Sequence, residues 1–405
     1  MARPLEGTKV LDLATMVLGP MAAQYLGDMG AEVIKVEPPE GDLMRNIGPR
    51  HSPGMGAFFL GNNRNKKSIV LDLKNPAGLE VLYSLVRQSD VIIHSTRAGA
   101  AKRLGISYDA LRQQNSQIIY CHVKGYSDDG LYAGRPAYDD IGQAESGLAS
   151  LQRVVGGQPR YVPSIIADKV TALHAAYGVL AALCQRFSTG EGQAVDVPMF
   201  ETMAAFNCNE HLWGAAFVPP LGETGYVPIS TGSRRPFLTR DNQYICVLPY
   251  NEGHWRRFCE VVGDPELTND SRYNSFAARQ SDQVGFWAEV GRRVLQKDYA
   301  EWLALLEAAD VPFGRVNSID DLLTDPHLDS VNFWRMVEHP TEGTLRMPGN
   351  PIAMSGSEPL PVSAPPLLGE HTREIVMSLG MSGPEVERLS REGVFGKVQT
   401  LEAFG

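Results

Sequence analysis

A single acid, Asp168, stands near the head of a long apolar stretch, SIIADKVTALHAAYGVLAALCQRF, residues 164–187. Two uses account for a carboxylate there. As the first residue of a helix it would cap the free N–H groups and suit the positive end of the helix dipole. As an acid entering a mostly buried region it needs a partner, or its affinity for a proton rises. That second situation is common in groups that do chemistry. From the residues alone, cap and catalytic group both remain open.

Other residues bear on chemistry. Arg64, Lys66, Lys67 and Lys74 crowd the stretch GNNRNKKSIVLDLK, and Arg97, Lys102 and Arg103 crowd STRAGAAKRLG. Positive charge beside two strand–helix loops suits an anionic, phosphate-bearing ligand; a solvated basic face has the same composition. Asp139 and Asp140 in YAGRPAYDDIGQ read as a helix start. The histidines are scattered singly, with no HxxxH or HExxH, so no metal site is expected. His94, His122 and His174 lie in apolar stretches and read as core histidines. No G-x-S-x-G elbow and no G-x-G-x-x-G are present.

Composition narrows the class. The net charge of −10 gives no overall pull toward nucleic acid. The five cysteines, Cys121, Cys184, Cys208, Cys246 and Cys259, form no CxxC pair and read as buried thiols of a reducing compartment. The N-terminus lacks the order of a signal peptide, and no run approaches the roughly 18 apolar residues of a membrane span. A cytoplasmic protein with no membrane partner is expected.

These residues must be positioned by larger elements. The 405 residues exceed one ordinary core, so two domains are expected. TKVLDL, EVIKVE, KSIVLDL, SDVIIHS and QIIYCHVKGY read as strands, separated by helical stretches such as MAAQYLGDMGA and NPAGLEVLYSLVRQ. Asn75 and Pro76 are the expected cap and first residue of the latter. Alternation of this kind predicts a parallel sheet, hence an open, Rossmann-like α/β domain. A Pro/Gly-rich stretch near 218–243 marks a crossing into a smaller α+β domain. The expected division is 1–220 with 325–405, and 221–324.

The chain resembles the class III CoA-transferases, a family that includes formyl-CoA and carnitine CoA-transferases and 2-methylacyl-CoA racemases. The resemblance rests on five blocks in order: LEGTKVLDLATMVLGPMAAQYLGDMGAEVIKVEPPEGD, NRNKKSIVLDLKNPAGLEVL, VKGYSDDGLYAGRPAYDDIGQAESGL, ADKVTALHAAYGVLAALCQRFSTGEGQAVDV and APPLLGEHTREIV. It implies a CoA-transferase in which Asp168 is the nucleophile, forming mixed anhydrides and an aspartyl-CoA thioester. CoA contacts are implied at Val17, Leu71, Lys74, Arg97, Arg103 and Tyr138. The implied substrates are a CoA thioester and a carboxylic acid, with no tightly bound cofactor. The implied assembly is a homodimer of interlocked rings.

The resemblance leaves alternatives. A racemase would use a His before the Asp of RPAYDDIG, where this chain has Tyr138, although Glu252 matches the racemases' acid in the second domain. A non-catalytic CoA-binding protein would need no Asp168. The glycine run of formyl-CoA transferases is replaced by GETGYVPISTGSRRPF, which argues against formyl-CoA and oxalate. Arg234 and Arg235 within that stretch suit a carboxylate, or form a solvated turn.

Overall fold

The computed structural model describes residues 3–358 and 361–396. It divides into two compact units. The first comprises Met1–Leu148, Tyr161–Phe206 and His327–Gly405, and the second Ala149–Arg160 and Asn207–Pro326. The boundaries read from sequence differ from this division chiefly at 149–160 and 207–220.

The first unit is built on six parallel strands: β1 Lys9–Asp12, β2 Glu32–Glu37, β3 Lys66–Val70, β4 Val91–His94, β5 Ile119–Lys124 and β6 Gln193–Pro198. Their order is β3-β2-β1-β4-β5-β6, and Val10 pairs with Val33 on one side and Val91 on the other. The central strands are near-continuous apolar runs because both faces of the sheet are covered. The order reverses between β1 and β4. At such a point the loops leaving the strand ends diverge and open a crevice.

One face packs helices Leu18–Gly27 and Ile166–Thr189, with Leu26, Ala172, Ala175 and Val179 buried against Val10, Ile93 and Val123. The other face takes Leu82 and Leu85 from helix Pro76–Val86, and Ile375, Val376 and Leu389 from the C-terminal helices Thr372–Ser378 and Gly383–Arg391. Each such aliphatic side chain, fully buried, contributes about 1.5–3 kcal/mol. Asn75 caps helix Pro76–Val86 by accepting the Ala77 N–H at 3.0 Å, as its sequence predicts. Gly19 and Pro20 lie in the first turn of helix Leu18–Gly27. A Cβ on Gly19 would collide with Ala14, so glycine is what lets this helix start directly beneath the β1 turn.

The second unit has an antiparallel sheet, β7 Phe237–Leu238, β8 Tyr244–Val247 and β9 Phe313–Arg315, in that order. Its core gathers Trp255, Phe258, Phe286, Trp287 and Trp302. Glu252 opens helix Glu252–Val261, accepts the Phe276 N–H and pairs with the buried Arg279 guanidinium at 3.1 Å. Arg234 stacks near the rings of Tyr250 and Trp287, at 6.0 and 5.8 Å. A hairpin, β10 Trp334–His339 and β11 Gly343–Pro348, lies in the returning part of the first unit.

Two expectations need correction. Only Cys121 and Cys259 are buried; Cys184, Cys208 and Cys246 are exposed, because they fall on outward positions of their helices and strand. Helix Ile166–Thr189 is long and apolar enough by composition to cross a membrane. Its buried face is an integral part of the first unit's core.

Candidate active site

Asp168 does not cap its helix. The helix begins at Ile166, so Asp168 sits inside the first turn, and Ile165 at the cap position offers no side-chain acceptor. The cap comes from elsewhere in the chain. Asp139, the first residue of helix Asp139–Glu145, accepts the Asp168 N–H at 3.0 Å through Oδ1. Its Oδ2 accepts from Gln143 Nε2 at 2.7 Å. Gln143 also donates to the Ser164 carbonyl at 3.1 Å and accepts the Val162 N–H at 2.8 Å, so it fixes the segment leading into the Asp168 helix. The two helices approach this closely because residue 142 is glycine: a Cβ there would lie 2.7 Å from Met199 Sδ and 2.9 Å from Ala167 Cβ.

With its backbone capped by another residue, the Asp168 carboxylate is left over. Among the described residues no side chain or backbone group hydrogen-bonds or ion-pairs it. Burial, then the nearby charges of Asp139 and Asp140, push its pKa from 3.8 to about 7. The helix dipole acts in the opposite direction, and burial outweighs it. The result is a carboxyl poised between its two protonation states near neutrality, with its nucleophilic oxygens unencumbered.

Asp168 faces a cavity of about 750 Å³ on the first unit. The cavity lies at the crevice the strand order predicts: Thr15 and Met16 follow β1, Ser95 and Arg97 follow β4, and Lys124, Gly125 and Tyr126 end β5. Of the seven residues singled out from sequence, Asp168, Arg97, Arg103 and Tyr138 line it. Val17, Leu71 and Lys74 do not. Val17 is buried between the lining residues Met16 and Leu18, Leu71 packs in the core with Val81, and Lys74 is an exposed loop residue.

The two basic clusters part company. Arg64 pairs with Asp28 at 2.5 Å, Lys66 with Asp12 at 2.9 Å, and Lys67 with Glu374 at 2.9 Å. Lys66 is fully enclosed, and burial holds it down at about 8 despite Asp12. Arg64 and Lys66 are thus internal structure, while Lys67 pairs at the surface and Lys74 is exposed. Arg97 and Arg103 flank the exposed helix Ala98–Arg103 and form no ion pair among the described residues. They leave positive charge free at the cavity wall.

Sequence reading missed His122, Lys124 and Arg135, which also line the cavity. His122 stacks on His94 with ring centroids 4.3 Å apart, and burial holds both below the ordinary histidine value, so they are neutral at pH 7. Lys124 Nζ lies 2.6 Å from both Asp128 and Asp196. His122, Asp128 and Asp196 could by spacing surround a metal ion, but the Lys124 ammonium already pairs with both carboxylates. His174, by contrast, is half-buried on the Asp168 helix rather than in the core, its Nδ1 2.8 Å from the Val170 carbonyl. The signal for the missed residues was position: HVKGY runs off the C-terminal end of β5, the edge at which open α/β sheets bind ligands.

A second cavity in the same unit, about 630 Å³, lies beside the β10–β11 hairpin. Its lining acids are Asp28, which is paired with Arg64, and the exposed Glu358.

Comparison with known proteins bears on this arrangement. The profile of CoA-transferase family III matches residues 5–372. A human succinyl-CoA:glutarate CoA-transferase is 32% identical over 378 residues, spanning 92% of this chain and 85% of that one. A formyl-CoA:oxalate CoA-transferase of Streptomyces avermitilis is 33% identical over 413 residues, spanning 97% and 100%. The crystal structure of a CAIB/BAIF family protein from Brucella suis superposes with a TM-score of 0.80 at 30% identity, covering 94% of this chain and all of that one. Such enzymes use CoA thioesters as substrates. An α/β unit on six parallel strands, joined to a family match over nearly its full length, makes this chain a member of CoA-transferase family III and an enzyme of that type.

Proposed function

We propose that the protein moves CoA from a dicarboxylate thioester to a second carboxylic acid, with Asp168 as covalent carrier. The observation that carries this reading is a carboxylate in the first turn of a long helix, sharing a cavity with two guanidiniums, all three unpaired among the described residues. The steps balance without water or an oxidant. An Asp168 oxygen attacks the thioester carbon, and the C–S bond breaks to give a mixed anhydride and CoA thiolate. The thiolate attacks the Asp168 acyl carbon, releasing the donor as its carboxylate and leaving an aspartyl-CoA thioester. The acceptor carboxylate attacks that carbon, expelling thiolate and forming a second anhydride. The thiolate attacks the acceptor's acyl carbon, which forms the new thioester and restores Asp168. Dividing one exchange into four acyl transfers is what covalent catalysis provides. N–H groups at the helix start are suited to the oxyanions formed on the way. The dicarboxylate class follows from relatives named for succinyl-CoA and glutarate.

Racemisation has less support. Tyr138, in place of a histidine, is an exposed phenol, and a neutral phenol is a poor general base. Glu252, the other required acid, is engaged by Arg279 and the Phe276 N–H. The test is to incubate the protein with succinyl-CoA and a panel of carboxylic acids, and to read new acyl-CoA species by mass. Exchange of the α-hydrogen for deuterium in 2-methylacyl-CoA, without any new thioester, would overturn the transferase reading.

Arg97 and Arg103 are proposed to neutralise CoA phosphates. Arg97→Ala and Arg103→Ala are each expected to weaken CoA binding about tenfold. The loss should shrink as salt is raised, because screening already weakens these contacts in the parent. Calorimetric titration at two ionic strengths checks both statements.

The assembly is proposed to be an interlocked homodimer, its chains divided roughly as 1–220 with 325–405, and 221–324. Leu173 and Tyr177, one turn apart on the Asp168 helix, and Phe187 at its end are 53%, 58% and 84% exposed. Apolar side chains grouped in this way favour cover by a partner surface. Light scattering is expected to give twice the chain mass down to the lowest measurable concentration; a folded monomer would refute the interlock.

A further inference from the structure

We infer that Asp42 is a positioning residue for acyl-CoA, joining two walls of the cavity through one buried carboxylate; the inference rests on the reading of that cavity as the CoA site. Asp42 is 1% exposed and precedes the short turn Leu43–Asn46. Its Oδ1 accepts two N–H groups: Met44 at 3.0 Å and Met16 at 3.3 Å. Met16 lines the cavity from the β1 turn, and Leu43, beside Met44, lines it from the other. One oxygen therefore sets the spacing of both segments.

The rest of the carboxylate is held so that it can do this. Its Oδ2 lies 2.9 Å from Lys35 Nζ, and its own N–H donates to Glu37 Oε2 at 3.1 Å. The same Lys35 ammonium donates to the Ala14 carbonyl at 3.0 Å, so it grips the β1 turn from the other side of Met16. The turn needs such restraint. Met16 has a φ of 72°, the left-handed region that a bulky residue occupies only when its surroundings impose it. Lys35 and Asp42 are fully buried, remote from solvent exchange, and neither lines the cavity. They act on ligand binding through Met16 and Leu43. The apolar character of Met16, Leu18 and Leu43 suits the uncharged arm of an acyl-CoA, while Arg97 and Arg103 suit its phosphates.

Charge burial and hydrogen-bond acceptance can be separated. Lys35→Met with Asp42→Asn removes the ion pair but keeps an acceptor oxygen for Met16 and Met44. Lys35→Met with Asp42→Leu removes both. Matched by circular dichroism, the leucine pair is expected to bind CoA at least tenfold more weakly than the asparagine pair, and to show a raised KM for acyl-CoA with a much smaller change in kcat. Equal dissociation constants would overturn the inference, because a residue serving stability alone would not distinguish the pairs. Should the leucine pair fail to fold, Asp42→Glu keeps the charge beside Lys35 while displacing the acceptor. It is expected to bind CoA at least threefold more weakly than the parent, and parental affinity would overturn the inference. Arg97→Ala/Arg103→Ala run in parallel separates this inference from its premise. If that variant binds CoA normally, the cavity reading fails and this inference with it. If it binds weakly while the Asp42 variants do not, only the positioning role fails.

Discussion

Asp168→Asn is expected to lower CoA transfer by at least about a thousandfold while leaving CoA binding intact. Asparagine matches the carboxylate in shape, so the cavity wall is preserved, but an amide oxygen is too weak a nucleophile to open a thioester. The substitution is unusually clean because the Asp168 side chain holds nothing in place. Its helix is capped through its backbone by Asp139, and no described residue pairs with its carboxylate. A loss of activity cannot then be attributed to a lost cap. Stability supplies an independent reading. The folded pKa of about 7 lies above the ordinary 3.8. The fold therefore favours the protonated acid: this contribution is fully present below pH 4 and is lost as pH rises through about 7. Asp168→Asn should melt at a higher temperature than the parent at pH 8.5, by an amount equivalent to roughly 1–3 kcal/mol, and at a similar temperature at pH 4.5. A variant that turns over at a tenth of the parental rate or better would remove Asp168 from the mechanism.

The second large effect is on pH dependence. Only the carboxylate form of Asp168 can attack, so kcat/KM should rise with pH and level off above about 7. Asp139→Asn is expected to move that inflection toward acid by about one pH unit, since it removes the nearest like charge. At pH 5.5 this variant would then outperform the parent severalfold. Its amide oxygen can still accept the Asp168 N–H. Its amide nitrogen would face Gln143 Nε2, which now donates to Asp139 at 2.7 Å, and this conflict should cost about 1 kcal/mol of stability. A profile unchanged in Asp139→Asn would show that burial alone sets the proton affinity of Asp168. Asp140→Asn is the comparison: it is farther down the order of influence and should move the profile less.

What could be read from the sequence, and what could not, divides by range. The strand–helix alternation up to β5 was legible because each segment's pattern is local. The cap of helix Pro76–Val86 was legible for the same reason: Asn75, Pro76 and Ala77 are neighbours in the chain. The cap reading of Asp168 was not. The acceptor that displaces it, Asp139, is 29 residues upstream and belongs to another helix. The basic stretch before β3 failed in a similar way. Its Arg64, Lys66 and Lys67 meet Asp28, Asp12 and Glu374, acids from three separate segments, and nothing local distinguishes them from the free Arg97 and Arg103. Leu71 lies away from the cavity for a different reason: it follows β3, and the sheet's order carries that strand to the edge farthest from the β4 and β5 ends, where it packs inward.

By itself the sequence determined the class of the fold, the presence of one acid at the head of a long apolar helix, and membership of a family through blocks spread over nearly the whole chain. The fold class follows from short-range periodicity, and the family from the resemblance of those blocks to its members. The tertiary structure decided which charges are free. It spends Arg64, Lys66, Lys67 and Glu252 on pairs within the chain, leaves Arg97 and Arg103 at the crevice, and turns Asp168 from a cap into a capped residue with an idle carboxylate. The physical reason is that solvation and partnering depend on distance in space. A buried carboxylate takes its proton affinity from whichever groups the folded chain brings beside it, and for Asp168 what decides is its burial and two further acids.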